Sequence, residues 1–103
     1  MWQSQEVRFA HDHPTAPGHF PSRPIIPGVL LLDEAIQLAE KAVRTGEEVV
    51  VRAAKFHHPV QPGETIIVRW EAEPARLVKF ECWLRDKDIL VASGTLMIVP
   101  TSP

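Results

Sequence analysis

The chain of 103 residues has a single cysteine, Cys82, only five glycines, and no apolar run longer than four residues. One cysteine excludes an intramolecular disulfide. Runs such as Val29 to Leu32 fall far short of the ~20 residues that a membrane-spanning helix needs, so no membrane span is expected. Met1 to Arg8 carries neither the basic n-region nor the apolar core of a secretory signal, and the expected compartment is a reducing cytoplasm. Basic excess is missing as well, with 11 Lys and Arg against 13 Asp and Glu for a formal net charge of -2. That balance exerts no pull on a phosphate backbone, and nucleic acid is not expected as a partner.

What is present is a composition of 45% hydrophobic and 23% charged residues, which suits a soluble globular fold and argues against disorder. Residues 1–103 are expected to form one domain, with no room for a separate cofactor-binding domain. A core this small gains from a second subunit, since a domain of about 100 residues buries only roughly 60 to 70% of its unfolded surface.

Five of the ten prolines lie between Pro14 and Pro27, which rules out a helix there. Before them, Gln3, Gln5, Val7 and Phe9 line one face of a short strand. At about 100° per residue, Val29, Leu32, Ala35, Ile36, Ala39, Ala42 and Val43 share one side of a helix running from Gly28 to about Arg44. Asp33, Glu34, Gln37, Glu40, Lys41 and Arg44 share the other, and Thr45-Gly46 supplies the stop. From Glu48 the pattern is β, with strands expected at Glu48–Phe56, Glu64–Glu73, Arg76–Arg85 and Ile89–Val99. Turn residues at Pro62-Gly63, Glu73-Pro74 and Asp86-Lys87-Asp88 separate them, as in an antiparallel meander. One helix covering one curved antiparallel sheet is an α+β arrangement.

The proline-rich segment carries the chemistry. Pro21, Pro24 and Pro27 fix φ around His19 and so lower the entropy cost of holding its imidazole in place. Pro27-Gly28 opens the helix, where the N–H groups of Gly28 and Val29 have no intrahelical partner and are free to hold a carbonyl oxygen gaining negative charge. One turn further in stands Asp33, with Gln37 four residues on to orient its carboxyl. A base, an oxyanion site and a carboxylic acid are the parts that remove a proton α to a carbonyl and expel a β-hydroxyl. An Asp that donates a proton near neutral pH needs burial to raise its pKa, so this reading predicts an enclosed, partly apolar site.

His19-Phe20-Pro21-x-x-Pro24-x-x-Pro27-Gly28-Val29-Leu30 resembles the signature of the 3-hydroxyacyl-[acyl carrier protein] dehydratases, and Ala54-x-Phe56-x-x-Pro59-Val60-x-Pro62-Gly63-Glu64 resembles a second element of the same family. The resemblance implies a hot-dog fold, a curved sheet wrapped around a central helix, with two subunits pairing their sheets. It implies that His19 of one subunit and Asp33 of the other complete each site, that Gly28 and Val29 hold the thioester carbonyl, and that Gln37 matches a family glutamine. Glu34 is the second choice for the carboxylate. It further implies an acyl carrier protein with its acyl-phosphopantetheine as partner, a homodimer or a heterodimer with another hot-dog subunit, and no cofactor. Ser22 stands where the motif usually has glycine, and the 18 residues before His19 are fewer than the family usually has. Short forms of this kind act in bacterial aryl polyene and related lipid pathways.

Two other readings stay open: a hot-dog thioesterase using Asp33 or Glu34 to activate water, and a non-catalytic acyl-binding subunit that pairs with another dehydratase. His11, His13, His57 and His58 lack metal-ligand spacing, and no metal is expected. Trp70, Phe80 and Trp83 are expected to pack the sheet, and Cys82 to be a small buried apolar residue. Arg23, Arg52 and Lys55 are candidate contacts for an acidic carrier.

Overall fold

Alternating apolar residues from Glu47 onward build the sheet, and the computed structural model describes it within residues 1–9 and 26–101. The strands are β1 (Gln3–Arg8), β2 (Glu47–Phe56), β3 (Thr65–Glu73), β4 (Leu77–Leu84) and β5 (Ile89–Pro100), and helix α1 spans Gly28–Glu40. The strands form one antiparallel sheet in the order β1-β3-β4-β5-β2. The inward face carries Ile66 and Val68, then Val78, Phe80, Cys82 and Leu84, then Leu96 and Ile98, all buried. Burial pushes the Cys82 thiol up to about 12, with the Glu34 charge adding to the shift, so Cys82 behaves as the small apolar residue expected.

Three expectations are corrected. The meander holds only for β3, β4 and β5, because β2 lies at the far edge beside β5 rather than next to β3. Alternation says which face of a strand is buried but not which strand lies beside it. The helix ends at Glu40, about one turn before Arg44; Lys41 caps it by donating to the carbonyls of Leu38 and Ala39. Its buried residues are Leu31, Ala35, Leu38 and Ala39, so the inner face is rotated from the one expected, and Val29 is 64% exposed. Leu31 and Leu38 lie within about 60° of Ala35 on the helical wheel, whereas Val29 and Ile36 lie about 100 to 120° away on the other side. Large leucines near the centre of the arc set the rotation.

Close packing of β2 on β5 depends on Gly94. A Cβ there would lie 2.2 Å from the Ala53 carbonyl oxygen and 2.7 Å from the Phe80 ring. One contact is with backbone and the other with a fully buried ring, so neither yields easily. Gly94→Ala is expected to lower unfolding stability by about 2 to 3 kcal/mol, read as a lower urea midpoint; an unchanged midpoint would show that the β2–β5 seam is looser than described.

Candidate functional site

Helix α1 begins where the sequence motif places it. Pro27 occupies the N-cap position with φ -57 and ψ 139, and Gly28 is the first helical residue. Just before it, the Ile26 N–H donates to the Val60 carbonyl at 2.7 Å, pinning the approach to the helix against the segment that follows β2. Gly28 is needed for packing: a Cβ on it would lie 2.8 Å from the Phe56 ring. Phe56 thus lies against the helix entry while remaining 53% exposed, and with Val29 it leaves apolar surface around the first helical N–H groups. Sequence reading assigned no role to Phe56; the signal available was its place in the second motif.

Asp33 and Gln37 both lie on the exposed face of α1. The Gln37 amide donates to an Asp33 carboxylate oxygen at 2.7 Å, the contact that the i, i+4 spacing predicts. Among the described residues nothing gives Asp33 the enclosure expected, and the cause is geometric. Asp33 lies about 160° round the helix from Ala35, so the rotation that buries the leucines turns it outward.

Glu34 differs from its neighbour. It sits on the flank of α1 towards β4, where its charge acts on Cys82. Burial, with a smaller contribution from the Asp33 charge, raises the Glu34 carboxyl above its ordinary value of 4.5. The two adjacent carboxylates therefore occupy different settings, one half-buried against the core and one exposed beside an orienting amide.

His57 and His58 follow Phe56 directly. The His57 Nε2 and the Ser93 hydroxyl share a hydrogen bond of 3.0 Å, and His58 Nδ1 donates to the Pro59 carbonyl at 2.7 Å. Both rings have local partners on the chain's own surface. His19, the candidate base, lies outside the described residues, as do Ser22, Arg23, His11 and His13. The described part of the site is thus the helix entry at Gly28 and Val29, the Asp33–Gln37 pair, and Phe56.

A family profile described as ApeI dehydratase matches residues 3–95. The chain belongs to this ApeI-like family. Among curated proteins it is 38% identical over 93 residues to a 3-hydroxyacyl-[acyl-carrier-protein] dehydratase FabZ of Wolbachia sp. subsp. Brugia malayi, covering 78% of this chain and 64% of the relative. The FabZ of Wolbachia pipientis subsp. Culex pipiens is 41% identical over 90 residues, with 78% and 63% covered. The chain therefore spans a little under two thirds of these relatives' own length. Among solved structures, a chain of the dehydratase heterocomplex ApeI:P from Xenorhabdus doucetiae superposes with a TM-score of 0.80 at 22% identity, covering 95% of this chain and 87% of that one. The (R)-hydratase from A. caviae superposes with a TM-score of 0.72 at 17% identity, covering 98% and 95%. These likenesses establish the hot-dog fold, and the single helix on a five-stranded antiparallel sheet is its α+β architecture.

Because the Glu34 carboxyl is raised in the folded chain, its ionisation opposes folding. That stability is fully present below the unfolded pKa and is lost as pH rises through the folded value. Glu34→Gln is therefore expected to melt above the wild type at pH 7, with the difference vanishing by about pH 4. A pH-independent difference in melting temperature would assign the effect to packing.

Proposed function

We propose that this protein dehydrates a 3-hydroxyacyl thioester, carried on acyl carrier protein, to the trans-2-enoyl thioester. The observation that carries the reading is the Asp33–Gln37 pair, held at 2.7 Å one turn inside a helix that opens at Pro27-Gly28. It follows the His19 motif at the spacing of the family signature. In this reading the single domain of residues 1–103 binds the thioester carbonyl at the Gly28 and Val29 N–H groups, which stabilise the enolate oxygen as it develops. His19 takes the α-proton. The C–O bond to the β-hydroxyl breaks, Asp33 protonates the departing oxygen, and water leaves as the α,β double bond forms. Gln37 holds the carboxyl in the orientation the transfer requires. No step calls for a metal or a redox group.

The exposure of Asp33 supports placing it opposite a second subunit, so that each site combines one chain's loop with the other's helix. Dimerisation, with itself or with another hot-dog chain, is part of the reading. So are a cytoplasmic setting and the phosphopantetheine-borne substrate. Against the thioesterase alternative stands the proline loop with His19, which hydrolysis by an activated water does not require.

The test is hydration of a short trans-2-enoyl thioester, run in the reverse direction and followed by loss of enoyl absorbance, on coenzyme A and carrier protein. The wild type is expected to be active, and His19→Ala and Asp33→Asn each to lose about 10²-fold or more in kcat while staying folded. Glu34→Gln is expected to retain activity. Loss of activity in Glu34→Gln but not Asp33→Asn would move the carboxylate by one residue, and an inactive wild type on both substrates would favour the non-catalytic subunit.

A further inference from the structure

We propose that the outer face of the sheet, the side away from α1, carries a second binding site, for a small aromatic anion: a flat ring system bearing one carboxylate or phosphate. The dehydration reading makes no use of this face. A cavity of about 360 Å³ opens there, with Trp2 at one wall and Lys55 at another. That size falls within the range of small-molecule sites, which combine an apolar lining with a few converging polar groups. Its cause is residue size. Ala53, Ser93 and Thr95 make a floor of short side chains, and longer ones stand around them.

The strand register brings the polar groups together. On β4, Val78, Phe80 and Cys82 are buried on the side of α1, so the alternate residues Lys79 and Glu81 face out. Lys79 pairs with Thr95, and Glu81 with Ser93. On the other side of β5, Ala53 pairs with Thr95 and Lys55 with Ser93, just after a bulge at Arg52 where the β2–β5 pairing shifts. Directly paired residues share a face, and neighbouring strands lie about 4.8 Å apart. Two lysines and two hydroxyls therefore surround one patch about 10 Å wide. Among the described residues Lys55 has no ion-pair partner and the Thr95 hydroxyl no hydrogen bond. Lys79 lies 3.5 Å from a Glu73 carboxylate oxygen, a loose surface pair that leaves it free to turn to a ligand. With His57 Nε2 donating to it, the Ser93 hydroxyl keeps its own hydrogen for an acceptor in the cavity.

Trp2 supplies a flat wall, and the wall is braced. The Arg69 guanidinium lies 5.0 Å from the centroid of the Trp2 ring, and Arg69 also pairs with Glu81 at 3.5 Å. Glu81 accepts a further hydrogen bond from Trp83 Nε1 at 3.1 Å. Glu81, the one carboxylate among the described residues around the cavity, is thus engaged by its own neighbours. Lys55 and Lys79 are the charges that a ligand meets. An indole already held against a guanidinium loses little freedom when a second ring stacks on it. The lysines and hydroxyls then take an acid group. A neutral ring would leave the ammonium of Lys55 unanswered, and an aliphatic acid would leave the indole uncovered; a ring that carries an anion uses both.

Titration of the purified chain with naphthalene-2-carboxylate and with 2-naphthyl phosphate, followed by the indole N–H resonances of its three tryptophans, tests this. At least one probe is expected to bind saturably with a Kd of about 1 mM or tighter. Binding is expected to move the Trp2 resonance and leave that of Trp70, on the inward face of the sheet, in place. The tighter probe tells whether the acid group is a carboxylate or a phosphate. The neutral naphthalene-2-carboxamide is expected to bind about tenfold more weakly. Lys55→Gln is expected to weaken anion binding about tenfold and Trp2→Leu about fivefold, whereas Lys41→Gln, at the end of α1, leaves it unchanged. Circular dichroism confirms that each variant is folded. No saturable binding of either probe, binding that leaves the Trp2 resonance unmoved, an amide that binds as well as the anions, or Lys55→Gln and Trp2→Leu variants that bind like the wild type would each overturn the proposal.

Discussion

The seating of Leu31, Ala35, Leu38 and Ala39 against the inward face of the sheet determines where every other group on the helix points. Those residues occupy one arc of α1, and the apolar area they remove from water is the main force holding helix to sheet. Once that arc is buried, the angle of about 100° per residue leaves no freedom for the rest. Glu34 falls on the flank near Cys82, Gly28 falls under Phe56, and Asp33 and Gln37 face out. The chemistry-bearing residues inherit their positions from four apolar ones.

This also accounts for what the sequence made legible. The helix start was readable because Pro27 and Gly28 have backbone preferences that act locally, and the Asp33–Gln37 contact was readable because i, i+4 neighbours meet on any helix. The strands showed themselves by alternation. The rotation of the helix was harder, because Val29, Leu32 and Ile36 are as apolar as Leu31 and Leu38. Only the sheet decides which of two overlapping stripes it can accommodate. The place of β2 at the far edge was not legible at all, since pairing partners are chosen by tertiary closure and leave no mark on the strand's own period. The second motif contained Phe56, but nothing local says that its ring rests on the first residue of the helix.

Small residues control two tight approaches. At Gly94 the backbone of β2 and the Phe80 ring close over a position with no room for a methyl group, and at Gly28 the Phe56 ring does the same. The two are linked through β2. Gly94 holds β2 close to β5 at Ala53, just after the bulge, and three residues later Phe56 reaches the helix entry. Geometry at the candidate carbonyl-binding N–H groups therefore depends on the seam between two strands as well as on the proline loop.

Exposure of Asp33 is where structure and chemistry meet. A general acid works only if it carries its proton near the operating pH, which for a carboxyl takes enclosure away from water. The described residues do not enclose it, because turning Asp33 inward would turn Leu31 and Leu38 out. Glu34 shows what partial burial does to a carboxyl on the same helix, raising it by desolvation, but it is turned towards Cys82. Enclosing Asp33 without disturbing the core requires a surface other than the described residues. In the proposed two-subunit site the other chain brings one.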